Sequence, residues 1–523
     1  MNPILDQPQM IAHEHWPVGT LVQLANQELL AQADANADLY DLRWPWAGES
    51  YAQRVTVRVA SLRDEAMTPL VIQLHPGAQE VVLGNEGMIV SKRLFVPFKS
   101  SDDRAVIWLL ACQAEGDHLL RIEVEIEWGE PLTQRLVDGL LVAQRNPRPA
   151  QGIYAQSNAE RTCVFGDPNG RPEQAQLDDP ARARLVYYVL INGETEVALI
   201  LTVSDVGEQM AWNDFLALRD AQQVYDQSSK AWENTLKIGR LWTPDPALNH
   251  AVQHGKLLAL RSLQRLRSGY APTDRQLAHL PTLVAALDAT DPILSRNLLA
   301  HARRVAERSA GRLPIHLPVY TQVAPVDPGD QLAATNGAYL LALRQHLAHH
   351  PNADLLAEHD AALQACVTAL LAAHQSPITP TDTPVKWENW ASSSGWQQPA
   401  DQPWGFVQPW PGIELAGAAI WQGCGLRWQA GELWVEPTWP ATWGWWALLD
   451  LPVGQHKLSL LWDGVTLHTT LPVQSRLPVQ HWSRLRLLQS DELDFDPRFE
   501  LQSRQQGDED GEEVRQSFRP TFL

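Results

Sequence analysis

At 523 residues and 58.5 kDa the chain exceeds what one compact core supports, so two to four domains are expected. Its 45% hydrophobic and 20% charged content is that of a globular protein and excludes a fibre or a disordered chain. A formal charge of -20, with no Lys/Arg run, speaks against a nucleic-acid partner and suits either a neutral or cationic ligand or plain solubility.

The N-terminal MNPILDQPQMIAHEHW has neither a basic n-region nor an apolar h-region. No window reaches the ~18 apolar residues of a membrane span, so a cytoplasmic protein with no membrane partner is expected. Residues 1–209 read as β. RVTVRVASL, PLVIQLH, QEVVLG, MIVSKRLFVPF, AVIWLLACQ, HLLRIEVEIEW, ARLVYYVLI and EVALILTVS are short β-branched and aromatic runs separated by turn signals such as LGNEG, SSDD, EGD and INGE, the pattern of a large antiparallel sandwich. Near residue 210 the period moves from two towards 3.6, and residues 210–240 read as a linker helix. Residues 241–427 then read as helical hairpins. The first helix starts at Pro244-Asp245-Pro246 and is expected to stop at Gly269; others are expected in DRQLAHLPTLVAALDA, PILSRNLLAHARRVAERSAG, DQLAATNGAYLLALRQHLAHH, DLLAEHDAALQACVTALLAAH and PGIELAGAAIWQGCGL. Residues 428–488 return to β in runs such as GELWVEP and HKLSLLWDG, and 489–523 form an acidic segment with little to bury, expected to be a mobile tail.

Several chemistries find no support. The four cysteines are far apart and form no CxxC pair, so neither a disulfide framework nor a zinc site is expected. No GxSxG, P-loop or dinucleotide glycine fingerprint occurs in a strand-turn-helix context, and no cofactor is expected. His346, His349 and His350 in RQHLAHH lie at helical spacing, but no glutamate is placed as in HExxH and histidine suits the end of a helix electrostatically, so no metal is expected there.

The order of sandwich, linker helix, helical hairpins and small β-domain resembles the six-hairpin glycosidases, which include amylo-α-1,6-glucosidase (glycogen debranching) and α-L-rhamnosidase-like enzymes. Local patterns carry the resemblance as well: EGMIVSKRLFVPF before paired strands, TPDPALNHAVQHGKLLALRSL as a first toroid helix, and PGIELAGAAIWQGCGLRWQAGELWVEPTWPATW at the end of the helices. The resemblance implies an N-terminal antiparallel β super-sandwich, a partial (α/α)6 toroid and a small C-terminal β-domain. The toroid is short, since twelve helices need roughly 250 to 350 residues and residues 236–430 supply 195. GYAPTDRQ stands where relatives carry a sugar-recognising Gly-Tyr-Pro-Trp run ending in Gly-Arg-Asp. Here Tyr270 and the Asp274-Arg275 pair are kept, with the order of the charged pair reversed. In DPGDQLAATNGAYLLAL, Asp330 matches an aspartate that precedes an inward-facing helix, where helix capping is the competing role.

Catalytic candidates follow from the same resemblance. In KWENWASSSGWQQPADQPW, Glu388 between Trp387 and Trp390 matches a Trp-flanked acid, with Trp396 as a further platform. Glu414 in PGIELAG is the candidate base, its competing role being a first-turn helix charge. The expected function is a glycoside hydrolase-like protein acting on an α-glucan or related oligosaccharide by acid/base hydrolysis. The alternative is a catalytically inactive carbohydrate-binding or assembly protein of the same fold. Thirteen of the 22 tryptophans fall between Trp387 and Trp462, and Trp439, Trp443, Trp445 and Trp446 are expected in an interdomain core.

Overall fold

The computed structural model describes residues 9–43, 50–61, 67–85, 87–98, 104–145, 161–266, 269–318, 328–373 and 409–481. The N-terminal part is one curled antiparallel sheet of 14 strands. Its spine is a pair of long strands, Ala105–Trp128 and Arg182–Ser204, bonded to each other along nearly their whole length. Each was expected as two strands around a polar turn. Instead EGD and INGE lie inside a continuous ribbon, whose register shifts at Asn192/Gly193 and whose Gly116 and Gly193 take positive φ (91° and 71°). A bulge of this kind bends and twists a ribbon without ending it. The two halves therefore share one core, with Val106, Trp108 and Leu110 from one side of the bulge and Leu120, Ile122 and Val124 from the other.

The second face of the sheet, including Ile107, Leu109 and Ile200, packs on Phe215, Leu218 and Val224. These belong to α1 (Glu208–Ala217), α2 (Ala221–Lys237) and the step between them, so the expected linker helix is two helices. The break falls where the Asp220 carboxylate caps α2, accepting from the Gln223 N–H at 3.1 Å. At the far end of α2, Trp232 stacks on Phe98 with 3.7 Å between ring centroids.

Helix α3 (Pro246–Arg261) begins at the expected Asp245 cap and stops well before Gly269. Residues Leu263–Leu266 pair instead with Gly269–Pro272 in a hairpin, and Thr273 N–H donates to Ser262 O at 2.8 Å. Then follow α4 (Leu280–Asp288), α5 (Pro292–Arg308), α6 (Leu332–His349), α7 (Ala353–Ala372) and α8 (Pro409–Ala418). Helices α4, α6 and α8 run in one direction: Trp410 meets His279 at their starts, while His346 and His349 meet Asp288, and Trp421 meets Ala285, towards their ends. The short connections after α4 and α6 turn α5 and α7 the opposite way. Helix α8 crosses α3 so closely that a Cβ on Gly255 would sit 2.0 Å from the Gly412 carbonyl oxygen. Helix α4 lies between α6 and α8 with Leu283, Val284, Ala286 and Leu287 fully buried.

Helix α7 is long and apolar enough by composition to cross a membrane, but Leu355, His359, Ala362 and Cys366 on one side of it are buried. Beyond α8 a hairpin (Leu426–Gln429, Glu432–Val435) leads to a five-stranded sheet. Its edge strand is Arg240–Trp242, supplied from before the helices and paired with Trp446–Val453. Trp421, Trp439 and Trp446 are buried where the helices meet this sheet, and Trp439 stacks on Trp443 at 5.2 Å.

Candidate functional site

The starts of α4 and α8 bring an imidazole, an indole and carboxylates together. Pro281 opens α4 and places His279 at its N-cap, while Pro409 and Pro411 open α8 and place Trp410 in its first turn. The two rings stack with centroids 3.7 Å apart and planes 21° from parallel. His279 Nδ1 lies 2.8 Å from Asp274 Oδ2, at ion-pair distance but out of hydrogen-bond alignment. Asp274 Oδ1 accepts from the Gln276 N–H at 3.0 Å, which fixes the carboxylate in its loop.

Arg275 follows at φ 60°, a left-handed conformation uncommon for a residue with a Cβ. It is held there by its N–H on Pro272 O and by Leu317 N–H on its carbonyl, both at 2.8 Å. Its guanidinium makes no ion pair among the described residues and is partly exposed. Tyr270, from the adjoining hairpin, is half-buried on the same helical core as Trp410.

Glu414 lies one turn on from Trp410, on the same side of α8. It is exposed, yet burial of its carboxyl by the surrounding protein raises its pKa from the ordinary glutamate value. It stands beyond the first turn of the helix, which contains no acidic residue, so the first-turn electrostatic role does not apply. Asp330 is exposed in the Gly329–Gln331 turn that leads into α6 and makes no capping hydrogen bond; the helix starts without a side-chain cap. Helix α6 in turn packs against the 277–279 turn, so Asp330 enters from a neighbouring helix start. Trp387, Glu388, Trp390 and Trp396 lie outside the described residues.

His279 escaped the reading of the sequence, although a signal was present: Pro281 marks a helix start, and the residue before such a start belongs to the mouth of the array. The stacked His279 and Trp410 rings beside the Asp274 carboxylate offer a flat aromatic face and a hydrogen-bond acceptor, groups of the kind that pack on and bond to a ring-shaped polar ligand.

A curled antiparallel sheet, helices of alternating direction and a small closing sheet together make up the fold. Among solved structures, the chain is similar to a protein described as "Putative kojibiose phosphorylase from human microbiome", with a TM-score of 0.54 and 9% sequence identity over 88% of this chain and 94% of that one. No protein-family model and no curated protein matches the sequence. The likeness is one of fold.

Proposed function

We propose that the mouth formed by the starts of α4, α6 and α8 binds an α-glucan or related oligosaccharide, and that the protein is a glycoside hydrolase of the debranching or α-glucosidase type on a super-sandwich and a partial (α/α)6 toroid. The observation that supports the reading is the grouping of Tyr270, Asp274, Arg275, His279, Trp410 and Glu414 around two helix starts. In this reading Glu388 protonates the leaving oxygen and Glu414 holds the attacking water, ~6.5–9.5 Å across the sugar. Trp387, Trp390, Trp396 and Trp410 supply platforms, and Asp274, Arg275 and Asp330 hold hydroxyls.

Maltooligosaccharides incubated with the protein, with and without inorganic phosphate, test this directly. Free sugar should appear in both cases, and Glu414→Gln or Glu388→Gln should lower kcat by about 10²–10⁴ while the substrate still quenches tryptophan fluorescence. Release of a sugar phosphate only when phosphate is present would replace hydrolysis by phosphorolysis, with phosphate taking the place of the attacking water. The inactive alternative draws on six helices, against twelve in a full toroid, among the described residues of the helical region; it expects quenching without turnover. Absence of both quenching and turnover would remove the carbohydrate reading.

A further inference from the structure

At the opposite end of the same helices, three histidines and an aspartate converge. Asp288 closes α4 and is fully buried. Its Oδ1 lies 2.7 Å from His346 Nδ1 and 4.0 Å from His350 Nε2, and its Oδ2 lies 2.8 Å from His349 Nδ1. Among the described residues its ion-pair partners are histidines alone. A buried carboxylate met by imidazoles is an arrangement that proteins use for pairing or for a bound cation.

The other features are those of a cation site. His346 and His350 stand four residues apart, so both rings come off one side of the end of α6. One ligand atom each from Asp288, His346 and His350 falls within 4.8 Å of the other two. The separations of 2.7 and 4.0 Å straddle the ~3.4 Å that two bonds of about 2.1 Å at the tetrahedral angle set between neighbouring ligands. His349 occupies the other carboxylate oxygen and stacks on Trp421 at 3.7 Å, while Trp421 Nε1–H donates to Ala285 O at 2.8 Å. That is the outer support which orients a ligating carboxylate. Finally, His346 and His350 line an open cleft of about 640 Å³, shared with Arg296, Asn352 and Lys457, which provides an entrance and room for water ligands.

We propose that Asp288, His346 and His350 bind a divalent transition-metal ion of the zinc type, with His349 as a positioning residue and the remaining coordination facing the cleft. Two imidazoles and one carboxylate suit zinc or cobalt better than calcium or magnesium, which take oxygen ligands. Binding exchanges existing bonds. His346 turns the Nδ1 lone pair to the ion and carries its proton on Nε2, while His350 gives up both its Nε2 bond to the Asp288 carbonyl oxygen at 3.2 Å and the Gly454 N–H that Nδ1 accepts at 3.2 Å. The expectation from the sequence that RQHLAHH only complements a helix end lacked one fact, that Asp288 meets it from another helix.

The test uses the full chain without a polyhistidine tag, stripped with a chelator and titrated with cobalt(II) and then zinc(II). One ion per chain should bind, with a cobalt absorption band that zinc removes. His350→Ala should weaken binding by more than about 100-fold and His349→Gln by about 10-fold, whereas His456→Ala in the cleft wall should leave it unchanged. His346→Gln provides a second ligand variant if His350→Ala does not fold. No stoichiometric binding by the folded parent chain, or binding that survives loss of both His346 and His350 rings, overturns the proposal.

Discussion

Glu80 is a buried carboxylate on the sheet, with the Arg93 guanidinium at 2.7 Å, the Ser91 hydroxyl at 2.6 Å and His75 farther off at 3.7 Å. Burial alone would raise its pKa, but His75, Ser91 and Arg93 outweigh that and lower it from 4.5 to about 2. A depressed carboxylate stabilises the fold above its unfolded pKa, and this contribution disappears as pH falls from about 4.5 through about 2. Glu80→Gln should therefore cost about 3 kcal/mol at pH 7, and urea unfolding should show the gap closing in acid. A gap independent of pH would contradict the assignment. At this scale the sequence was partly legible. Tyr270, Asp274 and Glu414 stood out by pattern, whereas His279 and Asp288 act through partners far away in the chain, Trp410 and the α6 histidines, which no local spacing announces.

Lys256 makes the same point for elements. It reads as an ordinary polar position of an amphipathic helix, yet it is fully buried. Its ammonium donates to the carbonyls of Leu236 at 2.8 Å, Ile238 at 2.5 Å and Gly239 at 3.4 Å, acceptors at and just beyond the end of α2 that helix bonds leave over. Burial holds its pKa well below the usual lysine value. Lys256→Met keeps the volume but strands those carbonyls, and should cost about 2–4 kcal/mol, seen as an earlier unfolding midpoint. An unchanged midpoint would mean that the carbonyls find other donors. Helices α5, α6 and α7 were readable from their long apolar patterns, with a proline start at Pro292 for α5 and an Asn352 cap for α7. The end of α3 was not, because LALRSLQRL continues a helical pattern while the hairpin to Gly269–Pro272 claims its last four residues. EGD and INGE were misread for a related reason: glycine with polar neighbours signals a turn and a bulge alike.

For the whole molecule, the succession of sheet, helices and sheet was visible in the change of period along the chain. The edge strand Arg240–Trp242 was not, since three residues carry no alternation and its partner lies beyond the entire helical array. Leu241 shares a core with Leu448 and Leu460 of the closing sheet and with Leu415 and Ala419 at the end of the array. Ending the chain after residue 440 should therefore loosen α3 and α8 as well as the sheet, measurable as new proteolytic cuts in both helices. Protection of both helices in the truncated chain would show that the array holds without its clasp. The same strand also sets a timetable for biosynthesis. At ~5–20 residues per second, Arg240 leaves the ribosome on the order of 10–40 s before Leu449, so the N-terminal sheet can finish folding while the middle of the protein still waits for its last strands.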